Sequence, residues 1–261
     1  MTPISGIPCR GYIGGHDLSG TIQAIGNIGT PMSPLDATTI DKVAMHKIGG
    51  RRDAAFAFTS FFDPDVSHPV LSELPRSDIS ALMSIGPASR GDNAILVPAA
   101  KQIDYGPTVG ADGALTCTVN VMATRPKVKG DYVAMWGNML SEGYEAIGGP
   151  SLETQRSVPI TAAPHGVTAY VWFLRPESDD SSGNAVVQIV DAAAAGSQTR
   201  ATIGTVTATG EELAAHKPVV KVVSVDTPIQ NNVIWLPFST SAAPSVEALV
   251  FLAPNRDPED Y

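Results

Sequence analysis

The sequence predicts a mainly β protein built in two parts, and three observations lead to that prediction. Residues 115–124 (LTCTVNVMAT) carry apolar side chains at every odd position and polar ones at every even position except Met122. That alternation is typical of a strand with one buried face. The last hundred residues or so hold about six short apolar segments separated by turn-rich sequence, as in an antiparallel sandwich. The 24 Gly and 21 Pro are scattered without a period, which suits many short strands joined by turns.

The first part, residues 1–150, is predicted to hold several strands and two short helices. Aromatic residues at 54–62 place Phe56, Phe58 and Phe62 on one face of a strand. Ser67 is the expected cap of a helix that Pro75 ends. Apolar residues at helical spacing predict a second helix, and Tyr105 to Gly113 read as a loop. The remaining strands are expected at 17–25, 77–85, 94–103 and 115–124, and the second helix at 131–140.

Residues 26–53 show little periodicity. A structureless stretch of this length is unusual inside a compact domain, so we interpret it as a functional loop or an extended assembly arm. Its basic pair, Arg51 and Arg52, is expected to form ion pairs with Asp36, Asp41 or Asp53, within the chain or across a subunit contact. The residues predicted for an assembly interface are Leu35, Asp36, Asp41, Lys42, Ile48, Arg51 and Arg52.

The boundary between the two parts is predicted within 145–166, where Gly, Pro, Ser and Thr are mixed. The second part, 151–261, is then an antiparallel β-sandwich of Ig-like size, although it lacks a Cys…Trp…Cys pattern. Its strands are expected at 167–174, 184–191, 200–208, 218–225, 232–236 and 246–252.

Charge argues against nucleic-acid binding. The chain carries a net charge of −9, divided as −3 over 1–150 and −6 over 151–261, and tight binding to phosphates needs Lys and Arg. Only 16% of residues are charged, against about 25% in typical soluble domains, which suits a surface covered by neighbouring copies. The sequence has no signal-peptide pattern and no apolar run of the ~18–20 residues that a membrane helix needs. Synthesis in a reducing cytoplasm is the expectation.

No arrangement of residues predicts a reaction, a cofactor or a metal. Gly204 and Gly210 are spaced suggestively, but no Lys-Ser or Lys-Thr follows them, and there is no Gly-x-Ser-x-Gly elbow. The five histidines stand singly, without metal-ligand spacing. Cys117 falls on the buried face of its strand, so we interpret it as a packing residue and not a nucleophile. Asp179–Asp180 reads as a hydrophilic hairpin connection, and 257–261 as a solvated terminus.

Several motifs in the first part resemble one family. These motifs are LDATTIDK at 35–42, IGGRRD at 48–53, FAFTSFFDP at 56–64, HPVLSELP at 68–75, AAKQIDY at 99–105 and GADG at 110–113. Through them the chain, over residues 1–150 mainly, resembles the actinobacteriophage major tail, or tail tube, proteins of long-tailed phages.

The resemblance implies a tail-tube-like β-sandwich or barrel with a short flanking helix. The C-terminal hundred residues depart from the family, and we expect them to form an added sandwich on the tube exterior. The resemblance also implies a virion protein made in the bacterial host cytoplasm that assembles with itself into stacked hexameric rings. The lumen would hold the tape-measure protein and later pass phage DNA without tight binding. Further implied partners are the tail terminator and distal tail proteins, and no membrane takes part.

Two other interpretations stay open from the sequence. The chain is alternatively a head decoration or tail terminator protein, in which the sandwich binds the capsid or caps the tube. A host-surface or carbohydrate-binding module is suggested by Trp172 and Trp235 on predicted strands, although aromatics on strands more often belong to the core.

Overall fold

The computed structural model describes most of the chain in twelve stretches. These are residues 9–73, 78–85, 92–124, 133–140, 156–159, 163–174, 183–192, 200–215, 217–229, 233–236, 238–241 and 247–255. Within them the elements are β1 Arg10–Ile13, β2 His16–Asp17, β3 Ile22–Gly29, β4 Met32–Asp36, β5 Lys47–Arg52, β6 Ala55–Phe61, α1 Ser67–Ser72, β7 Ile79–Ser84, β8 Asp92–Val109, β9 Leu115–Ala123, β10 Met135–Leu140, β11 Arg156–Pro159, β12 Val167–Leu174, β13 Asn184–Ala192, β14 Arg200–Ala208, α2 Gly210–Leu213, β15 Val219–Val225, β16 Val233–Leu236, β17 Phe238–Ser241 and β18 Glu247–Pro254. The predicted mainly β class is confirmed.

The chain forms two compact units that interleave along the sequence. Unit 1 comprises residues 1–17, 82–96 and 136–261, and unit 2 comprises 18–81 and 97–135. The sequence analysis instead placed a single boundary within 145–166. The observed units differ from that single boundary because strand pairing brings together segments that are distant in sequence. For example, β10 pairs with β18, which lies near the far end of the chain. Of the predicted boundary segment, 145–155 and 160–162 lie outside the described residues.

Unit 1 contains a sandwich of two antiparallel sheets. In one sheet β12 lies between β15 and β18, and in the other β13 lies beside β14, β16 and β17. Alternate residues of both sheets meet in one apolar core, including Phe173, Val187 and Val250. Burial of such side chains stabilises each by about 1.5–3 kcal/mol. The predicted strands of this region are all present, with ends shifted by one or two residues.

Strand β12 is buried on both faces, and all eight of its residues are buried. On the face turned away from the sandwich core, Tyr170 stacks on Trp172 with ring centroids 6.0 Å apart and meets the edge of Phe251 at 6.5 Å. A Cβ on Gly15, whose φ is +89°, would lie 3.2 Å from the Trp172 ring. The Gly15 turn therefore covers this aromatic layer closely, at a backbone conformation that favours glycine.

Unit 2 is built on β3, β6, β9 and β8, paired in that order and antiparallel. Phe56 and Phe58 of β6 are buried against the alternating face of β9, which contributes Val119 and Val121. Phe62 lies just beyond the end of β6, half-buried, with its ring centroid 4.9 Å from that of His68. The predicted period-two patterns of β6 and β9 are thus present in the structure.

The short helix α1 begins differently from the prediction. Its cap position is Val66, which makes no side-chain cap, and Ser67 is the first helical residue. The Asp63 carboxylate accepts the backbone N–H groups of Asp65 and Val66, each at 2.9 Å, in the turn that precedes the helix. Ser67 is buried and its hydroxyl donates to the Phe61 carbonyl at 3.3 Å. The predicted stop, residue 75, lies outside the described residues.

Two predicted elements are wrong. Residues 135–140 form strand β10 and not a helix. A Cβ on Gly137 would lie 2.2 Å from the Leu252 carbonyl oxygen, so tertiary pairing with β18 decides the conformation against the helical spacing. The predicted loop at 105–113 begins later, because β8 runs on to Val109 in register with Leu115. The turn is confined to the residues around Gly113, whose φ is +82°.

The two cysteines have different surroundings. Cys117 is 1% exposed and Cys9 is half-buried, and both are free thiols. Burial of Cys117 confirms the prediction that it lies on the packed face of β9. We expect a thiol reagent to label Cys9 in the native protein and Cys117 only after unfolding, because the thiolate must reach solvent to react. Mass spectrometry of the labelled peptides with and without urea checks this, and rapid native labelling of Cys117 would contradict it.

Candidate functional site

Residues 30–53 form a distinct β-hairpin in unit 2, called here the arm hairpin. Its strands β4 and β5 pair only with each other among the described residues, as a separate two-stranded sheet. The Asp53 N–H donates to the Pro31 carbonyl at 3.0 Å and closes the base. The prediction of an arm without regular structure is thus corrected in part. Regular pairing was hidden in the sequence by two prolines and a Gly-Gly pair, which weaken strand patterns.

Large apolar side chains of the arm hairpin are exposed to solvent. Leu35 is 59% exposed and Ile48 52%, and in the loop between the strands Ile40 and Val43 are fully exposed. Met32 and Met45 are exposed as well. A two-stranded hairpin is marginally stable by itself, and contiguous exposed apolar surface marks an interaction site. The arm hairpin therefore has the composition of a contact surface.

Polar groups shape the loop between the two strands. The Asp36 carboxylate accepts both the Thr38 hydroxyl, at 2.5 Å, and the Thr38 N–H, at 2.9 Å. These bonds, the hydroxyl first, hold the pKa of Asp36 below its ordinary value. The Thr39 hydroxyl donates to Asp41 and is the largest cause of the lowered pKa of that carboxyl. The His46 N–H donates to the Thr38 hydroxyl at 2.8 Å and ties the far side of the loop to the near side.

The residues predicted for an assembly interface all lie on the arm hairpin. Leu35 stands opposite Ile48, and Asp36 opposite Lys47, in the register of β4 and β5. Lys42 lies 3.6 Å from Asp41, with both side chains exposed.

The expected ion pairs of the basic residues stay a prediction. Arg52 is exposed opposite Met32, whereas the Arg51 side chain lies outside the described residues. Sequence reasoning missed the exposed Met32, Ile40, Val43 and Met45 as contact residues. They could have been found from the sequence, because large apolar residues are unusual in a stretch whose other residues are typical of a loop.

A polar cluster in unit 2 joins α1 to β8. The His68 Nδ1 and the Tyr105 hydroxyl lie 3.0 Å apart, and the Gln102 amide donates to the Leu71 carbonyl at 2.6 Å. Burial, followed by the nearby Cys117, raises the pKa of Tyr105 well above its ordinary value. These contacts fix the helix on the sheet, and they contain no nucleophile oriented by a base in the manner of a catalytic triad.

The described residues contain no group of three or more His, Cys, Asp and Glu side chains that could hold a metal ion. Nor does any helix in the described part of the chain have the length and apolar character to cross a membrane.

The two tryptophans proposed for carbohydrate binding are Trp172 and Trp235. Trp172 is 1% exposed beneath the Gly15 turn, so it is not a sugar platform. The side chain of Trp235 lies outside the described residues. Trp136, which the sequence analysis assigned to a helix and not to carbohydrate binding, is 52% exposed on β10.

The fold and the site together define a mainly β chain of two compact units that carries an exposed apolar hairpin. No protein-family model matches the chain, and no curated protein matches it.

Among solved structures, the chain is similar to proteins of phage tails and related injection machines, including the following three. The tube-terminating cap of the anti-feeding prophage is 8% identical, with a TM-score of 0.41 over 53% of this chain and 93% of that one. The sheath/tube terminator of an extracellular contractile injection system, PVC, is 11% identical, with a TM-score of 0.40 over 48% and 95%. The Dit protein of phage SPP1 is 11% identical, with a TM-score of 0.34 over 94% and 98%. Because these TM-scores are below 0.5, the likeness carries no functional conclusion.

Proposed function

We propose that this chain is a structural protein of a bacteriophage tail, the tail tube subunit, which polymerises into stacked hexameric rings around a channel for DNA. The observation that carries the proposal is the arm hairpin, which exposes six large apolar side chains. These are Met32, Leu35, Ile40, Val43, Met45 and Ile48. The resemblance of residues 35–42 and 48–53 to tail tube proteins lies in the same hairpin.

The physics of the hairpin favours assembly of identical subunits. Full burial of one large apolar side chain is worth about 1.5–3 kcal/mol, so even partial burial of six offsets much of the cost of association. A hairpin that binds a different surface on the next copy makes a heterologous contact. Such contacts close into rings or continue as open helical tubes.

Net charge supports a channel that does not hold DNA. The chain carries −9, and a surface of carboxylates repels phosphates, so DNA slides without tight binding. The tape-measure protein would fill the lumen beforehand, and the tail terminator and distal tail proteins would bind the ends of the tube. In this role the chain catalyses no reaction and needs no cofactor, and its place is the virion, after synthesis in the host cytoplasm.

A head decoration or tail terminator protein is the second candidate. The exposed hairpin serves that role equally if it binds a different protein instead of another copy of this chain. A host-surface module is favoured less than it was from the sequence alone, because one of the two tryptophans that suggested it is buried in unit 1.

Microscopy of the purified protein separates these candidates. Negative-stain images at high protein concentration should show hollow tubes or six-fold rings, because the hairpin contact needs only copies of the same chain. Analytical ultracentrifugation of the same sample should show large, concentration-dependent species. A strictly monomeric or trimeric particle under all conditions would contradict the tube proposal and favour the second candidate.

A further inference from the structure

The edge strand β15 of unit 1 is a second exposed apolar surface. One side of β15 pairs with β12, and no strand of the described residues pairs with the other side. Five of its seven residues are valine, of which Val220 is 36% exposed and Val222 47%. An apolar edge strand with an open row of N–H and C=O groups is a ready acceptor for a strand from another chain.

The two faces of β15 have different surroundings. Val223 packs against the sandwich core of unit 1. Val220 and Val222 lie on the opposite face, in register with Trp172 and Tyr170 of β12. Those two aromatic side chains are each 1% exposed. The Gly15 turn reaches as far as Pro218, just before β15. Beyond it, Val220 and Val222 continue the same apolar face into solvent.

A buried polar group adjoins this surface. The hydroxyl of Tyr170, the residue in register with Val222, is buried and has no hydrogen-bond partner among the described residues. Burial raises the pKa of Tyr170 well above its ordinary value. A buried hydroxyl without a partner is destabilising, and this one belongs to β12, the strand that pairs with β15.

The one charged residue of β15 does not protect the edge. Lys221 forms an ion pair with Glu212 of α2, and this contact is the largest cause of the lowered pKa of Glu212. A lysine on an edge strand discourages pairing when its ammonium group stands free in solvent at that edge. Here the ammonium group is held by the helix of its own unit instead.

The arm hairpin of another copy fits this edge by charge and by chemistry. Residues 30–53 carry four basic and three acidic side chains, a net charge of +1, whereas the whole chain carries −9, so the rest of the chain carries −10. The arm hairpin is thus attracted to the body of a second copy. On the hairpin, Pro34 removes an N–H from β4, whereas β5 contains no proline. The outer edge of β5 is the better donor.

We propose that β5 of one copy pairs with the free edge of β15 in a second copy, so that Ile48 lies beside Val220 and Val222 and Leu35 of β4 extends the same apolar face. This inference rests on the proposed function, in which the arm hairpin joins identical subunits, and it names the surface that receives the hairpin. Main-chain hydrogen bonds supply the affinity, and the apolar side chains set the register.

Disulfide formation between two variants, each with one exposed cysteine besides the buried Cys117, tests the contact directly. With Cys9→Ser as background in both proteins, Ile48→Cys is mixed with Val222→Cys under mild oxidation, so that the cross-link arises only between copies. The cross-linked dimer on a non-reducing gel should exceed that from Ile48→Cys mixed with Val109→Cys by at least about tenfold. Val109 is 70% exposed in unit 2, outside the proposed contact. Equal dimer yields from the two mixtures would overturn the proposal. So would a disulfide-linked dimer that forms from Val222→Cys alone instead of from the mixture.

Assembly of a charged variant distinguishes this inference from the proposed function. Val222→Lys should lower the polymerised fraction by at least about tenfold, with Val109→Lys as the matched control that leaves it unchanged. If wild type and Val222→Lys both form tubes and no cross-link appears, the edge contact is wrong and the tube function stands. If the cross-link forms but no tubes are seen, the edge contact stands and the tube function is wrong. Because the cross-link is formed without lysine at 222, it decides the matter even if Val222→Lys does not fold.

Discussion

Replacing the arm hairpin by a short turn should abolish polymerisation and leave a folded monomer. The change substitutes Asn-Gly for residues 32–52, between Pro31 and Asp53, whose backbone groups already meet at 3.0 Å. The hairpin is a separate two-stranded sheet, so its removal deletes exposed apolar surface without opening the core of unit 2. Negative-stain microscopy should show no tubes, and far-UV circular dichroism should show retained β structure.

A double point variant makes the same test with less disturbance. Leu35→Asp with Ile48→Asp places two carboxylates opposite each other on the hairpin, where an apolar contact would have to bury them at a cost of several kcal/mol each. Val109→Asp, on an exposed residue of unit 2, is the matched control and should polymerise as wild type does. Tubes formed by the hairpin-replaced protein would show that residues 30–53 are not the assembly arm.

Truncation of Trp172 should destabilise unit 1 by about 3–5 kcal/mol, the usual cost of Trp→Ala in a packed core. Trp172 is 1% exposed, stacks on Tyr170 and lies under the Gly15 turn. The variant loses this packing and leaves a cavity between β12 and the turn. Urea unfolding followed by far-UV circular dichroism measures the change without depending on tryptophan fluorescence.

Trp136→Ala is the control for that measurement. Trp136 is 52% exposed on β10, and surface substitutions of this kind usually change stability by no more than about 0.5 kcal/mol. A loss below about 1 kcal/mol for Trp172→Ala would mean that this residue is not the packing centre described here. Loss of glycan binding with unchanged stability would restore the carbohydrate interpretation.

The local sequence pattern predicted most strands correctly, but it failed for two elements, the strand at 135–140 and the end of β8. Residues 115–124 alternate so regularly that strand β9 and the burial of Cys117 follow from side-chain periodicity alone. At 135–140 the spacing of Met and Trp favoured a helix, yet β18 approaches so closely that only glycine fits at 137. The information that decides β10 lies more than a hundred residues away, so no local window contains it.

For the arm hairpin, too, the sequence predicted the location of the element but not its strand pairing. Length and irregular composition singled out residues 26–53 as an arm, because a compact domain rarely holds so long an unpatterned stretch. The pairing of Leu35 with Ile48 did not follow, since Pro34 and Gly49 interrupt both strands. The sequence also could not predict that β15 is an edge strand, because a run of valines occurs in central strands and in edge strands alike.

The sequence by itself determined the mainly β class, the packing role of Cys117, the acidic balance that disfavours nucleic-acid binding, and the position of the arm. These properties depend on composition and on periods of two residues, which are local. Only the tertiary structure decided that the arm is a hairpin with exposed apolar side chains, that Trp172 is buried, and that no described strand pairs with the outer edge of β15. Exposure and strand order depend on which distant segments pair, and that is set by the packing of the whole unit.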